Sequence, residues 1–239
     1  MEGIYVETDE AIQIIISVVA ISFAFTIVFA GLGGLISYPG SFFVFMVLSL
    51  VTVGSGFILH EMAHKIVAIY YGAQARFQMW VQGLVFMLII SLLGVLFAAP
   101  GAVYIYSNNI NRRQNGIISF IGPLVNVALV AFFLGLSVVA PIMLYFPFPT
   151  LTGNGPVNAW YFGAQLNLIL ALFNMIPAFP IDGSKVFRWS KALWGTATLA
   201  LLAVGVVLLG WGIVLGWLFL LVLALAFSKL LFGGYREGR

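Results

Sequence analysis

The sequence contains no cysteine, and this absence excludes several kinds of chemistry. Without thiols the chain has no disulfide bond, no nucleophilic thiolate and no zinc site built on cysteine. The absence leaves the redox compartment open. Histidine is almost as rare, with two residues among 239. A metal centre would therefore have to be built from these two imidazoles and from carboxylates.

Charged residues are also scarce, at 7% of the chain against 63% for hydrophobic residues. Soluble domains carry about 25% charged residues, so this chain lacks the polar surface that a water-soluble core requires. Its apolar segments reach the roughly 20 residues that cross a bilayer. They lie at about 11–36, 41–71, 81–99, 117–146, 159–179 and 192–231. The sequence predicts an all-α polytopic membrane protein, a single domain over residues 1–239, surrounded by membrane lipid.

Two of these segments do not fit a single crossing. The last one, of about 40 residues, would make a helix of roughly 60 Å against a hydrocarbon core of about 30 Å. We expect it to fold back near Gly210, Gly212 and Gly216. The segment 81–99 is short, and both a crossing helix and a re-entrant element are possible for it.

The positions of lysine and arginine favour re-entry. If residues 81–99 return without crossing, about six helices remain and all ten basic residues lie on one side with both termini. A crossing would instead separate Lys65 and Arg76 from Arg112 and Arg113. The positive-inside rule then predicts a protein of the cell membrane with both termini cytoplasmic. It also attributes the net charge of +3 to loops near the membrane and not to nucleic-acid binding. We predict a small re-entrant β-hairpin in this region.

Both histidines lie in one short motif inside the second apolar segment. His60, Glu61 and His64 form the pattern HExxH. On a helix, residues four apart share a face, so both imidazoles can bind one zinc ion while Glu61 acts as the base that activates water. The motif is short and also arises by chance, so a third ligand is needed to support it.

The candidates for a third ligand are few. Of seven acidic residues, four lie in the N-terminal head and Glu237 lies in the tail, which leaves Glu61 and Asp182 in the apolar body. Intramembrane acids are costly and are functional candidates by default. An ordinary Asp-Gly turn is the alternative reading of Asp182. Because a hydrolytic zinc site needs three protein ligands, we predict Asp182 as the third.

Three elements together resemble the site-2 protease family of intramembrane zinc metalloproteases. The family joins HExxH to a distant NxxPxxPxDG motif, which reads here as NMIPAFPIDG over residues 174–183. The family's GPxxN element appears at residues 122–126. Ser184 stands where the family commonly has a second glycine. The resemblance covers a catalytic core at about 41–190, and a helical hairpin follows at about 192–231.

The resemblance implies one zinc ion per chain, bound by His60, His64 and Asp182, with Glu61 as the catalytic base. It implies cleavage of transmembrane protein substrates within or near their helices, as in regulated intramembrane proteolysis.

Asparagines supply the remaining polar groups. An oxyanion needs a donor besides the metal, and Asn126 and Asn174 both carry amides. The resemblance favours Asn174 as the catalytic donor, and we expect Asn126 to bind substrate. Hydrogen bonding between helices is the alternative for both residues. We interpret Asn167 as packing and Lys65 as an anchor whose amine extends to the membrane surface.

A helical substrate must unwind before its carbonyl groups can be attacked. A strand near 76–81 or 101–106 could capture the unwound segment by β-addition, with an inert hairpin as the alternative. As a function from another class, a metal-ion or proton transporter could use the same His/Glu/Asp cluster, although no inverted repeat supports it. A prenyl-protein protease would need a downstream glutamate as ligand, and the sequence offers only Glu237.

Overall fold

Helices make up most of the computed structural model, which describes residues 5–95, 100–107, 109–151 and 153–232. Arg236, Glu237 and Arg239 lie outside these residues. In chain order the elements are α1 (Thr8–Ser37), α2 (Pro39–Ser49), a π-helical turn (Leu50–Gly54), α3 (Ser55–Tyr70), β1 (Gln74–Met79), α4 (Val81–Ser91), β2 (Gly101–Tyr106), α5 (Arg112–Val139), β3 (Met143–Leu144), β4 (Val157–Asn158), α6 (Ala159–Asn174), α7 (Asp182–Trp189), α8 (Lys191–Leu209) and α9 (Gly212–Phe232).

The helix lengths fit a membrane protein. Within the described part of the chain, four helices are long and apolar enough to cross a bilayer: α1, the continuous helix Pro39–Tyr70, α5 and α8. With α6 and α9 they correspond to the six helices predicted when segment 81–99 re-enters and segment 192–231 folds back. The predicted fold class, an all-α polytopic membrane protein, is confirmed.

Helix α6 is shorter than the predicted segment 159–179. It has 16 residues, ends at Asn174, and is buried along most of its length among the other helices. Pro177 and Pro180 explain the early end, because proline has no N–H to donate and its ring clashes with the preceding turn. The chain therefore leaves the helical path before it reaches Asp182.

The residues that flank segment 81–99, Trp80 and Pro100, are hydrogen-bonded neighbours. Strands β1 and β2 pair antiparallel with Met79 opposite Gly101, and the Trp80 N–H donates to the Pro100 carbonyl at 3.0 Å. Helix α4 between them has 11 residues, about 16 Å, which is too short to cross. Re-entry agrees with the prediction, but the re-entrant piece is a helix flanked by paired strands rather than a simple β-hairpin. Residues 96–99 lie outside the described part.

A buried ion pair joins the N-terminal helix to the rest of the bundle. Lys65 Nζ lies 2.6 Å from one Glu10 carboxylate oxygen and 2.8 Å from the other. Both side chains are buried, and Glu10 also accepts the Phe77 N–H of β1 at 2.9 Å. The interpretation of Lys65 as a surface anchor was wrong, and Glu10 belongs to the protein interior. Helix α1, strand β1 and helix α3 are thereby held together.

The C-terminal segment folds back where the glycines predicted. Helix α8 ends at Leu209, Gly210 has a φ of 79° that L-residues rarely adopt, and α9 begins at Gly212. Two side chains of α6, Gln165 and Tyr161, donate to the Leu208 carbonyl at 2.9 and 3.1 Å. This carbonyl lies in the last turn of α8, where helical partners are missing, so α6 fixes the end of that helix.

Candidate metal centre

Helix α3 places both histidines on one face. The His60 and His64 rings meet edge to face with centroids 4.6 Å apart, and both side chains are buried. Glu61 lies beside them and is also buried. Within the described residues, the possible metal ligands of His60, Glu61 and His64 lie within 4.8 Å of one another. Helical spacing alone accounts for this cluster.

Asp182 reaches the same point from a different part of the chain. It is the first residue of α7, after the irregular segment 175–181 that follows α6. Its Oδ2 atom lies 2.9 Å from His64 Nε2 and 3.3 Å from His60 Nε2. Its other oxygen lies 3.4 Å from the Lys185 ammonium. Two imidazole nitrogens and one carboxylate oxygen therefore converge, which brings together the three residues predicted as ligands.

The Nδ1 atoms of both histidines form hydrogen bonds with residues of α5. His64 Nδ1 lies 2.6 Å from the Ile118 carbonyl, and His60 Nδ1 lies 2.7 Å from Asn126 Oδ1. The Ile118 carbonyl can only accept, so His64 Nδ1 carries the hydrogen and Nε2 offers its lone pair. Among the described residues, buried His64 Nε2 makes no hydrogen bond of regular geometry, and the atom that faces it is Asp182 Oδ2, 2.9 Å away. Histidine ligands typically have this arrangement, with one nitrogen bonded to the protein and the other directed at a metal.

The donor set suits zinc. Two imidazoles and a carboxylate are a common ligand set of hydrolytic zinc sites. His60, His64 and Asp182 are thus the residues that would hold the ion.

Gly122 allows α5 to approach the imidazoles closely. A Cβ atom at this position would lie 2.5 Å from His60 Nε2 and 2.6 Å from His64 Cε1. Any side chain would therefore compete for the space beside the ligand atoms. The GPxxN element indicated this glycine, although sequence reasoning gave it no role.

We expect Gly122→Ala to weaken zinc binding by about 10-fold or more, because the methyl group must displace a ligand imidazole. Zinc affinity would be measured by competition with a chelator. Gly135→Ala is the matched control, since Gly135 lies on the same helix and a Cβ there would meet no atom within 4 Å. Unchanged zinc affinity in Gly122→Ala would contradict the close approach of α5.

The Glu61 carboxylate is oriented by a strand. Its Oε2 accepts the Val103 N–H of β2 at 3.0 Å. This bond leaves the second carboxylate oxygen free for chemistry. Sequence reasoning missed Val103 and Ile118 because both act through backbone groups, which no residue type reveals.

A cavity of about 670 Å³ opens beside the centre. Its walls are mostly apolar and include residues of α3, α4, β2 and α9, together with His60, Glu61, His64, Asn174 and Asp182. Asn174 is partly buried, and its Nδ2 donates to the Leu170 carbonyl at 3.1 Å. Asn126 also borders the cavity, but it has no exposed surface and its Oδ1 contacts His60 Nδ1. The structure therefore brings the predicted residues together, with Asn126 in contact with a ligand imidazole.

These features define a helical membrane protein in which buried His and Glu side chains meet a partly buried Asp beside an apolar cavity. Residues 135–209, which include Asn174 and Asp182, match peptidase family M50. Over 206 residues the chain is 38% identical to a protein of Methanocaldococcus jannaschii that is named as a zinc metalloprotease, and the alignment spans 84% of this chain and 95% of the relative. No solved structure matches the chain. The chain belongs to peptidase family M50, the site-2 protease family, and it is a membrane zinc metalloprotease.

Proposed function

We propose that this protease hydrolyses peptide bonds within or near the transmembrane helices of other proteins. The observation that carries the proposal is the meeting of three ligand atoms and one oriented base beside an apolar cavity in a bundle of membrane-length helices. An apolar cavity favours apolar peptide segments. Transmembrane protein substrates are therefore the partners we propose, with regulated intramembrane proteolysis as the process.

The residues divide the chemistry between them. His60, His64 and Asp182 would hold zinc, which supplies Lewis acidity and lowers the pKa of bound water. The free oxygen of Glu61 accepts the proton from the attacking water and returns it to the leaving nitrogen. The Val103 N–H keeps this carboxylate in place during both transfers.

The asparagines take different roles in this proposal. Asn174 lines the cavity and uses one amide hydrogen on Leu170, so its second N–H is available to the oxyanion. Asn126 contacts His60 through its oxygen and has no exposed surface for a substrate. We therefore propose Asn126 as the residue that orients His60, in place of the substrate-binding role expected from the sequence.

Strand β2 is the better edge for capturing an unwound substrate. The outer edge of β1 is covered by α1, because Phe77 N–H donates to Glu10 and Met79 N–H donates to Gln13. Val103 pairs with Phe77, so in an antiparallel ladder its N–H also points away from β1. That N–H faces Glu61, and residues 100–105 line the cavity. A substrate strand added to β2 would lie beside the metal centre and would bond to the outward-facing backbone groups of Gly101 and Ile105, because the Val103 N–H is held by Glu61.

The experiment uses purified protein in lipid, loaded with zinc and incubated with single-span membrane substrates. We expect cleavage that a chelator abolishes and that restored zinc recovers. Substrates with Gly, Asn or Pro near the middle of the helix should be cut faster, because these residues lower the cost of unwinding. If no substrate is cut while divalent ions cross vesicles in a Glu61-dependent way, the transporter function replaces the proposal.

We also propose that the protein resides in the cell membrane with cytoplasmic termini. Because the chain has no cysteine, single cysteines can report its topology. Cysteines at the exposed positions Gln74 and Asn109 should react with an impermeant thiol reagent from the cytoplasmic side, and one at Asn154 from the other side. Labelling of positions 74 and 154 from the same side would contradict the topology.

A further inference from the structure

A buried amide on α6 is fixed in orientation by two backbone carbonyls. Asn167 has no exposed surface, and its Nδ2 donates to the Gly163 carbonyl at 2.9 Å and to the Thr52 carbonyl at 3.2 Å. Carbonyl oxygens only accept hydrogen bonds. The amide must therefore present its NH₂ group to both carbonyls and its oxygen to the opposite side.

The orientation of the Asn167 amide determines that of the Asn126 amide, which is hydrogen-bonded to it. Asn167 Oδ1 accepts from Asn126 Nδ2 at 3.0 Å, and that nitrogen also donates to the Gly56 carbonyl at 3.3 Å. Asn126 must then present its own oxygen to His60 Nδ1, 2.7 Å away. Asn126 is likewise without exposed surface. Each hydrogen bond in this chain thus has one possible direction, and His60 Nδ1 is its last donor.

We propose that Asn167 is a positioning residue that fixes the tautomer of His60. Through Asn126 it keeps the hydrogen on Nδ1, so that Nε2, which lies 3.3 Å from Asp182 Oδ2, can offer its lone pair to the metal. The sequence interpretation of Asn167 as simple packing is replaced by this role. The proposal rests on the assignment of His60 as a zinc ligand.

The local backbone is arranged to allow the contact. Thr52 lies in the π-helical turn Leu50–Gly54, where the wider winding opens carbonyls to side-chain donors. Gly56 follows this turn, and a Cβ there would overlap the Asn167 carboxamide. A Cβ at Gly163 would lie 2.8 Å from Thr52 Cγ2. Both glycines therefore let α6 approach the π-helical turn closely. The turn then supplies the Thr52 carbonyl that holds Asn167.

The second histidine provides an internal control. His64 Nδ1 donates directly to the Ile118 carbonyl, with no side chain between them. A change at Asn167 should therefore affect His60 and leave His64 as it was. Since the chain has two histidines, spectra of protein labelled with ¹⁵N-histidine would contain one set of ring signals for each.

The test compares Asn167→Leu with Gln165→Leu in the full chain. Leucine has the same branched arrangement of heavy atoms as Asn167 but has no group to hold the Asn126 amide, so Asn126 can turn over. Asp182→Ala is included in every chain compared by NMR, because the Asp182 carboxylate would otherwise accept from both Nε2 atoms. In this zinc-free protein with neutral imidazoles, we expect Asn167→Leu to give a mixture of His60 tautomers while His64 keeps its hydrogen on Nδ1. Zinc affinity, from chelator competition, should fall about 10-fold. Gln165→Leu removes another buried amide of α6 that contacts Leu208, and it should change neither measurement.

Further variants separate the possible outcomes. Gly56→Ala should reproduce the mixed His60 tautomer, because its methyl group displaces the Asn167 carboxamide. A single His60 tautomer with unchanged zinc affinity in folded Asn167→Leu would overturn the proposal and leave the protease function standing. If His60→Ala itself retains full zinc affinity, the ligand assignment fails, and with it the inference that depends on it.

Discussion

Replacing Glu61 by glutamine is expected to lower cleavage by about 10² to 10⁴-fold while zinc stays bound, since the change removes general acid–base catalysis and no ligand. Glutamine keeps the size of the side chain, and its carbonyl oxygen can still accept the Val103 N–H that now holds Glu61 Oε2. The side chain should therefore stay in place. What disappears is a carboxylate able to take a proton from water.

The measurement pairs single-turnover cleavage of a transmembrane substrate with zinc content per chain. Glu7→Gln is a suitable control, because Glu7 is a half-exposed carboxylate whose contact is with Arg76 at 2.9 Å, far along the chain from the centre. It should alter neither quantity. Loss of zinc together with activity in Glu61→Gln would show that Glu61 is a ligand, as its place among the clustered ligand atoms also permits.

The meeting of the three candidate ligands was largely predictable from the sequence. HExxH fixes a spacing that any regular helix converts into a shared face, so His60 and His64 needed no tertiary information. Asp182 followed from the scarcity of acids in an apolar chain. Its approach to the imidazoles depends on the break after Asn174, which the prolines indicated. Local rules and composition were sufficient for these residues.

The partners of the ligands could not be predicted in this way. The contact between Asn126 and His60 joins residues 66 positions apart, and it depends on how α5 packs against α3. Ile118 and Val103 act through backbone groups that every residue possesses. Glu10 was read as a head residue because four acids stand near the N-terminus, yet α1 begins at Thr8 and buries it against Lys65. Each of these depends on three-dimensional packing.

The segment 81–99 shows where length and hydropathy stop being informative. An apolar stretch of that length fits either a short crossing or a re-entrant element. The distribution of basic residues selected re-entry, but it carried no information on secondary structure. Pairing of β1 with β2 decided the path of the chain, since strands joined along residues 74–79 and 101–106 return it to its starting point.

Removing the Asp182 carboxylate is expected to have the other large effect. Asp182→Ala should reduce zinc from about one ion per chain to background, because two imidazoles alone leave a hydrolytic site one protein ligand short. Asp182→Asn should retain more zinc than alanine, since an amide oxygen can still contact the metal but carries no charge. Metal analysis after dialysis checks both, with Asp9→Ala as a control at an exposed carboxylate. Full occupancy in Asp182→Ala would remove Asp182 from the ligand set and leave Glu61 as the remaining carboxylate of the cluster. Glu61→Gln is thus expected to keep its zinc, whereas Asp182→Ala is expected to lose it. Together the two variants assign Asp182 to metal binding and Glu61 to proton transfer.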